Sequence, residues 1–205
     1  MVVSSVHIIS DVSSGPQMIE TYQANLEALR AKKSGTFLIE CDTYYSNPGI
    51  FQQQKTLNLL MSSEYPLTAF SLIKNGPTIV VDSSFEQIIT TLSNFYSLKK
   101  LARMEVRGQK WILNDFVIKL GSCTLGANFR AIMLEIEYGP CSIPANCWDL
   151  IKELGRTFVG PIISKPHQHL LSKMNEIYCP VDTIHQYNDL FNQIKKQAPQ
   201  VVNKN

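Results

Sequence analysis

Residues 130–138 read Arg-Ala-Ile-Met-Leu-Glu-Ile-Glu-Tyr, a stretch in which two kinds of side chain alternate almost without exception. Successive side chains of a β-strand point to opposite faces, so a period of two indicates a strand with one buried face. The apolar set is Ile132, Leu134, Ile136 and Tyr138, and the opposing set is Ala131, Met133, Glu135 and Glu137. The pattern predicts a strand over 130–138 in a sheet with a hydrophobic core on one side.

The same alternation predicts further strands before this one, and the links between them are short. The segments are 37–42, 57–61, 67–73, 78–81, 102–106 and 111–120, followed by a short strand between Gly121 and Gly126. Asn75-Gly76-Pro77 and Arg107-Gly108-Gln109-Lys110 have the composition of turns. Strands joined by hairpin-length links pair antiparallel, and about eight of them usually close into a barrel.

A helix is predicted over 16–33, because apolar residues recur there with the period of a helix face. Pro16 suits its first turn, and Ser13 or Ser14 can cap it. Gly35 follows the segment and is expected to end the helix.

Three more helices are predicted further along the chain. The first opens with a capping box at Ser83-x-x-Glu86 and carries an apolar stripe as far as Tyr96. The others are 146–158 and 182–197, separated by a segment over 160–175 that has no regular period and is expected to be a surface loop. The apolar stripes of 85–98 and 182–197 fit either a core face or an interface, and a core face is the interpretation we adopt.

Strands and helices do not alternate regularly, which excludes the parallel α/β class. The expected fold is α+β, an antiparallel β-barrel of about eight strands with peripheral helices. Hydrophobic residues make up 44% of the 205, which is enough for a core that needs no disulfide or bound metal ion to stabilise it. We expect a single domain over 1–197 and a frayed tail over 198–205.

Charged residues make up only 18% of the chain, and the formal net charge is +2. Ser, Thr, Asn and Gln together number 54 and outnumber the 36 charged residues. Nucleic-acid binding needs clustered Lys and Arg, and no such stripe occurs, so direct binding to nucleic acid is not expected. No membrane segment or basic signal sequence is visible either.

Candidate metal and nucleophile residues are few. The five cysteines lack a C-x-x-C spacing, so free thiols in a reducing compartment are expected. Cys141 and Cys147 have no evident His and Asn partners and are interpreted as buried or partly buried free thiols. His167-x-His169 fits an exposed pair better than a metal site, and His185 is expected to be solvated. No phosphate-binding or nucleophile-elbow motif occurs, so no catalytic, cofactor or metal residue is assigned.

One group of charges allows a catalytic alternative. The non-apolar strand faces carry Glu40, Asp42, Arg103, Glu105, Arg107, Asp115, Lys119, Glu135 and Glu137. Glu135 and Glu137 lie on the same face about 7 Å apart, and inside a barrel they could hold a divalent metal and a polyphosphate. Triphosphate-tunnel hydrolases carry E-x-E-x-K, but position 139 is a glycine. A charged face turned to solvent gives the same alternation, and that is the interpretation we adopt.

Seven short stretches resemble the Mediator subunit 20 family, the homologues of the TRF-proximal protein. They are Ser63-Glu64-Tyr65-Pro66-Leu67, Asn75-Gly76-Pro77, Val106-Arg107-Gly108, Glu135-Ile136-Glu137-Tyr138-Gly139-Pro140-Cys141, Asn146-Cys147-Trp148-Asp149-Leu150, Asp182-Thr183-Ile184-His185-Gln186-Tyr187 and Leu190-Phe191-Asn192-Gln193-Ile194-Lys195-Lys196-Gln197. The resemblance spans about 35–197 and lies in the number and order of the stretches.

The resemblance implies a nuclear, non-enzymatic subunit of the Mediator head module, which links activators to RNA polymerase II through protein contacts. It implies a barrel akin to the triphosphate-tunnel fold, paired with Mediator subunit 18 and held by the C-terminal helix of Mediator subunit 8. It implies no catalytic residue, cofactor or small-molecule substrate. The alternative from another class is a divergent metal-dependent triphosphate hydrolase that uses Glu135 and Glu137.

Overall fold

The computed structural model of the chain describes residues 2–10, 15–74, 76–98 and 103–197. The strands are β1 (Val3–Ser10), β2 (Lys32–Ser46), β3 (Thr56–Ser62), β4 (Thr68–Ile73), β5 (Thr78–Asp82), β6 (Tyr96–Leu98), β7 (Met104–Leu113), β8 (Phe116–Leu125) and β9 (Asn128–Tyr138). The helices are α1 (Gly15–Ala28), α2 (Phe85–Thr91), α3 (Trp148–Val159), α4 (Gln168–Ser172) and α5 (Pro180–Gln197). In these ranges no helix is long and apolar enough to cross a membrane.

All of these strands belong to one antiparallel sheet in the order β1-β9-β8-β7-β2-β3-β4-β5, with β6 paired to β2 off this path. Within the described ranges the end strands β1 and β5 do not pair with each other, so the sheet stays open. The predicted α+β class and antiparallel sheet are confirmed, but the closed barrel is replaced by an open sheet.

The last helix, α5, fills the inner face of this sheet. Its Ile184, Tyr187 and Phe191 are buried in one cluster with inward-facing residues of β1 to β4 and β7 to β9. Strands from both ends of the sheet contact one helix, so the sheet wraps around α5. The expectation that all helices are peripheral is therefore wrong for α5, while its apolar stripe is a core face as predicted.

Two consecutive residues of α5 bind the two ends of the sheet. The side-chain oxygen of Gln186 accepts a hydrogen bond from the Val6 N–H at 3.0 Å, and its amide nitrogen donates to the Ser4 carbonyl at 3.1 Å, both on β1. Nε2 of His185 lies 3.0 Å from Oγ1 of Thr78 on β5. The helix thus occupies the gap where direct strand pairing would close a barrel.

The outer face of the sheet is covered by two groups of elements, one of which forms a much smaller hydrophobic cluster than the other. Helices α1 and α3 cover β7, β8, β9 and β1 with a large cluster that includes Leu26, Trp111 and Phe158. Over β2 to β5 the cover consists of α2 and β6, and Ile89 is the buried residue of α2. Ile88 and Leu92 of this thin layer stay exposed, so the core interpretation of 85–98 is wrong for much of that stripe.

The N-terminal predictions need correction. No strand was predicted over 3–10, yet β1 forms there and its first four residues are buried. Helix α1 ends at Ala28, because Arg30 takes a left-handed φ of 63°. Gly35 lies inside β2 at a register shift opposite β7 and ends no helix. The caps proposed at Ser13 and Ser14 lie outside the described residues.

The turn predicted at residues 107–110 is also wrong. Strand β7 runs through it without a break, and the chain turns at Asn114, whose φ is 51°. Gly108 faces Gly121 across β7 and β8, and a Cβ on Gly108 would lie 2.0 Å from the Leu120 carbonyl oxygen. These glycines permit a close approach of two strands.

Other boundaries differ in smaller ways. Helix α2 ends at Thr91, its N-cap Ser84 makes no side-chain cap hydrogen bond, and Tyr96 belongs to β6. The predicted loop over 160–175 contains α4. Helices α3 and α5 are confirmed, each beginning two residues from its predicted start. Predicted features at Asn75, Ala102 and 198–205 lie outside the described residues.

Candidate functional site

Glu135 and Glu137 lie on the inner face of β9, beside α5. The Glu135 side chain is 1% exposed and that of Glu137 is 18% exposed. The prediction that this face is turned to solvent is therefore wrong. Both faces of the strand are buried, one beneath α1 and α3 and the other against α5.

Lys119 lies between these two carboxylates. It is paired with Glu135 across β8 and β9, and its ammonium is 3.4 Å from Glu135 Oε1 and 2.6 Å from Glu137 Oε1. Glu64, from the segment between β3 and β4, approaches the same ammonium at 3.9 Å and binds Lys110 at 3.0 Å. The carboxylates thus share a cation that the chain itself provides. We call Glu64, Lys110, Lys119, Glu135 and Glu137 the ion cluster.

Helix α5 is bonded to the ion cluster. The hydroxyl of Tyr187 donates a hydrogen bond to Glu135 Oε2 at 2.9 Å, and Tyr187 is fully buried. Burial, reinforced by Glu135, raises the pKa of Tyr187 well above its ordinary value, so this hydroxyl keeps its proton and remains a donor. Glu135 therefore has one oxygen directed at Lys119 and the other at the helix.

The ionisation of the cluster follows from burial and from the neighbouring charges. Burial alone would lower the pKa of Lys119, but Glu135 and Glu137 outweigh it and raise that pKa, so the ammonium stays charged. Burial, and after it Glu135, raises the pKa of Glu137 from its ordinary 4.5 to about 7. A proton on Glu137 near neutral pH relieves the repulsion between the two carboxyls.

A cavity of about 210 Å³ lies against the cluster, between the start of α5 and the sheet. Its lining includes Glu64, Tyr65, Lys119, Glu135, Glu137 and Tyr178. A metal held by Glu135 and Glu137 would have to replace the Lys119 ammonium. Among the described residues no group of three or more His, Cys, Asp or Glu side chains is arranged to hold a metal ion.

The arginines of the proposed catalytic set are not near this cavity. Met104 and Val106 point to the inner face of β7, so Arg103 and Arg107 point to the outer face. Arg103 pairs there with Glu40 and with Asp42, and Arg107 pairs with Glu105 at 3.0 Å. The structure thus separates the arginines from Glu135 and Glu137, by the thickness of the sheet.

The histidines are less exposed than predicted. The rings of His169 and His185 stack at a centroid distance of 4.7 Å, and both residues are half-buried. His169 Nε2 lies 3.0 Å from Asp182 Oδ1, and Nδ1 of the half-buried His167 accepts from the His169 N–H at 3.2 Å. Burial lowers the pKa of His167 and of His185. This group binds α4 to α5 and does not form a solvent-facing pair.

The cysteines have the environment of structural thiols. All five are free; Cys147 is buried and Cys141 is half-buried, and both agree with the prediction of buried or partly buried thiols. Burial, and after it Cys141, raises the pKa of Cys147 to about 12, so its thiolate is scarce at neutral pH.

Sequence reasoning missed the residues that join α5 to the sheet. In the sequence Lys119 is one of several strand charges, and the pattern predicts no contact for Tyr187 or Gln186. A signal for Lys119 existed, since it is the one charge in the apolar run Phe116-Val117-Ile118-Lys119-Leu120. A lone charge in such a run indicates a buried partner.

Comparison with known proteins covers most of the chain. The family model described as the TATA-binding related factor (TRF) of subunit 20 of the Mediator complex matches residues 1–192. The chain belongs to the Mediator subunit 20 family. "Mediator of RNA polymerase II transcription subunit 20" of Homo sapiens is 34% identical over 193 residues, 92% of this chain and 91% of the human protein. The protein of that name from Anopheles gambiae is 38% identical over 198 residues, 90% of each chain.

Solved structures overlay this chain loosely. A chain of the Schizosaccharomyces pombe Mediator head module covers 77% of this chain and 95% of its own length, with a TM-score of 0.39 and 10% identity. Membership of the Mediator subunit 20 family rests on the sequence matches and not on this overlay.

The stretches that resemble the family include the contacts just described. Glu135 and Glu137 belong to one stretch, and Gln186 and Tyr187 belong to another. In the structure these two stretches meet, because Tyr187 binds Glu135 and Gln186 binds the adjacent strand β1. In this chain, these residues of the two stretches join the helix to the sheet.

Proposed function

We propose that this protein is a non-catalytic subunit of Mediator that works in the head module, in the nucleus. It would link transcription activators to RNA polymerase II through protein–protein contacts. The match to the subunit 20 family over residues 1–192 carries the proposal. The ion cluster supports it, because its carboxylates are neutralised by Lys119 and bonded by Tyr187.

The partners that we propose are Mediator subunit 18 and the C-terminal helix of Mediator subunit 8. The composition suits such a role, since the chain has 54 neutral polar residues and only 36 charged ones. Few charges would therefore be buried without a partner in an interface. Neutral polar groups lose water at a lower cost than charges do.

The direct test is immunoprecipitation of the full chain from nuclear extract, followed by identification of the recovered proteins. We expect the head subunits 18 and 8 to be recovered together with the chain. Recovery of the chain without any Mediator subunit would contradict the proposal. A matched bait made from an unrelated nuclear protein of similar charge controls for non-specific recovery.

A second test addresses catalysis. The full chain is incubated with Mn²⁺ and a nucleoside triphosphate, and phosphate release is measured beside a Glu135→Gln variant. We expect no release from either protein above the buffer blank. Release by the natural chain that the variant abolishes would establish the hydrolase instead.

A further inference from the structure

The free edge of β5 is the part of the sheet that the fold leaves open. Strand β5 pairs with β4 on one side and ends the sheet on the other. Ser83 N–H donates to the Leu67 carbonyl and Ile73 N–H donates to the Pro77 carbonyl. Hydrogen-bonded pairs alternate along an antiparallel ladder, so Ile79 and Val81 bond to β4 while Thr78, Val80 and Asp82 direct their N–H and C=O groups outward.

Charged side chains, proline within the strand, a bulge or a covering element usually keep edge strands from pairing. Among the described residues, this edge shows only the first of these, at Asp82. The strand reads Thr-Ile-Val-Val-Asp, and its pairing with β4 shows no register shift. Helix α5 reaches its first residue, through Thr78 and His185. Val80 and Asp82, whose backbone groups point outward, are exposed residues.

Apolar side chains flank the edge on both faces of the sheet. Val80 is 55% exposed and points to the inner face, as its partner Phe70 does. Ile79 is 45% exposed and points to the outer face, where Ile88 of α2 and Leu92, the residue after the helix, are also exposed. A strand laid beside β5 would cover Val80 on one face and Ile79 on the other.

Charge indicates the chemistry of an occupant of this edge. Residues 76–98 contain two carboxylates, Asp82 and Glu86, and no Lys or Arg. The nearby Arg103 is already paired with Glu40 and Asp42. The two carboxylates lie at and beyond the C-terminal end of β5, whereas the exposed Lys74 precedes its N-terminal end, so the negative charge of the edge is confined to one end. A segment with Lys or Arg beside its apolar residues complements the edge.

We propose that the β5 edge receives an extended segment of another Mediator subunit, apolar in its centre and basic at one end, which adds a strand to the sheet. Main-chain hydrogen bonds to Val80 and Asp82 would provide affinity, and contacts with Ile79 and Val80 would provide specificity. The inference rests on the proposed function, because the partner is a Mediator subunit.

The test is co-expression of the full chain with Mediator subunits 18 and 8, followed by purification through a tag on this chain. A Val80→Lys variant places a charge on the edge, and Leu171→Lys on α4 is the control because Leu171 is similarly exposed, at 59%. We expect Val80→Lys to lower the yield of co-purified subunits about tenfold or more, and the control to leave it unchanged.

Hydrogen exchange on the natural chain gives a readout that does not depend on a variant. We expect the amides of 78–82 to exchange more slowly in the purified complex than in the free chain, while those of β1 do not change. Protection that appears in the free chain as its concentration rises would indicate a second copy, and would overturn the inference.

The remaining outcomes separate the two proposals. If the natural chain recovers the subunits and Val80→Lys recovers them equally well without protection of 78–82, the edge is not the site and the proposed function stands. If the natural chain recovers no subunit, both are overturned.

Discussion

The two ends of the sheet differ in how their backbone groups are satisfied. At β1 the side chain of Gln186 binds both the Val6 N–H and the Ser4 carbonyl, and α5 packs along the strand. At β5 the His185 side chain reaches Thr78, and the neighbouring Ile79 and Val80 are exposed. The difference indicates that α5 covers the β1 end of the sheet and satisfies its backbone groups, and we call this the sealed end. The β5 end, which we call the open end, is left available to a partner.

The sealed end depends on the ion cluster that holds α5 on the sheet. Replacing Lys119 by Met would leave Glu135 and Glu137 buried without their cation. Removing one partner of a buried pair costs about 3–5 kcal/mol, and we expect a loss of that size in the free energy of unfolding, measured by urea titration.

Two further variants make the Lys119 result specific. Lys110→Met removes the more exposed lysine, which binds Glu64 at 3.0 Å, and should cost about 1 kcal/mol or less. Lys119→Met combined with Glu135→Gln and Glu137→Gln should recover much of the loss, because no unpaired charge remains. Equal losses for Lys119→Met and Lys110→Met would mean that the cluster does not hold the helix.

The seal itself is tested at Gln186. Gln186→Leu keeps the side chain buried but leaves the Val6 N–H and the Ser4 carbonyl without partners. Unsatisfied buried groups cost about 1–3 kcal/mol, and we expect a loss in this range together with faster amide exchange in β1. Gln193→Leu, at an exposed position of the same helix, is the control and should change neither quantity. Unchanged exchange at Val6 in Gln186→Leu would show that the seal is not needed.

The cluster also makes the sealed end sensitive to pH. The pKa of Glu137 is about 7 in the folded chain against an ordinary 4.5, so between these values the folded state binds a proton that the unfolded state has lost. Stability from this group is therefore complete below about pH 4.5 and is lost as pH rises towards 7.

We expect Glu137→Gln to remove that decline, which for a pKa raised from 4.5 to about 7 should amount to about 2–3 kcal/mol between pH 4.5 and 7. The measurement is the urea midpoint of the natural chain and the variant across this range. Glu20→Gln, at an exposed position on α1, should reproduce the natural profile. Parallel profiles for the natural chain and Glu137→Gln would remove Glu137 as the cause.

The alternation of apolar residues in the local sequence predicted most of the strands. In β9, for example, the apolar set forms the outer face that is buried beneath α1 and α3. It did not predict β1, whose Ser4 and Ser5 are buried beside Val3 and Val6, so polar and apolar residues do not alternate there. The segment at Gly108 resembles a turn in composition, and only Gly121 on the opposite strand shows why a glycine is needed within β7.

The candidate site depended on contacts that are remote in sequence. Glu135 meets Tyr187 across 52 residues, and Val6 meets Gln186 across 180. A single sequence gives no distance between such positions. The carboxylates of Glu135 and Glu137 could therefore be named as a pair, while their burial, their shared lysine and the open edge of β5 could not.

The open end should tolerate change in the free protein. Val80→Lys alters a residue that is 55% exposed on an end strand, so we expect the free energy of unfolding to shift by no more than about 0.5 kcal/mol. Ile8→Lys is the counterpart at the sealed end, where Ile8 packs against the inner cluster, and it should cost clearly more. Urea titration of the isolated variants compares the two. A loss above about 1 kcal/mol for Val80→Lys would mean that β5 is already covered in the free chain. The contrast between the two ends of the sheet would then not hold, because an edge that is packed before assembly has no surface left for a partner strand.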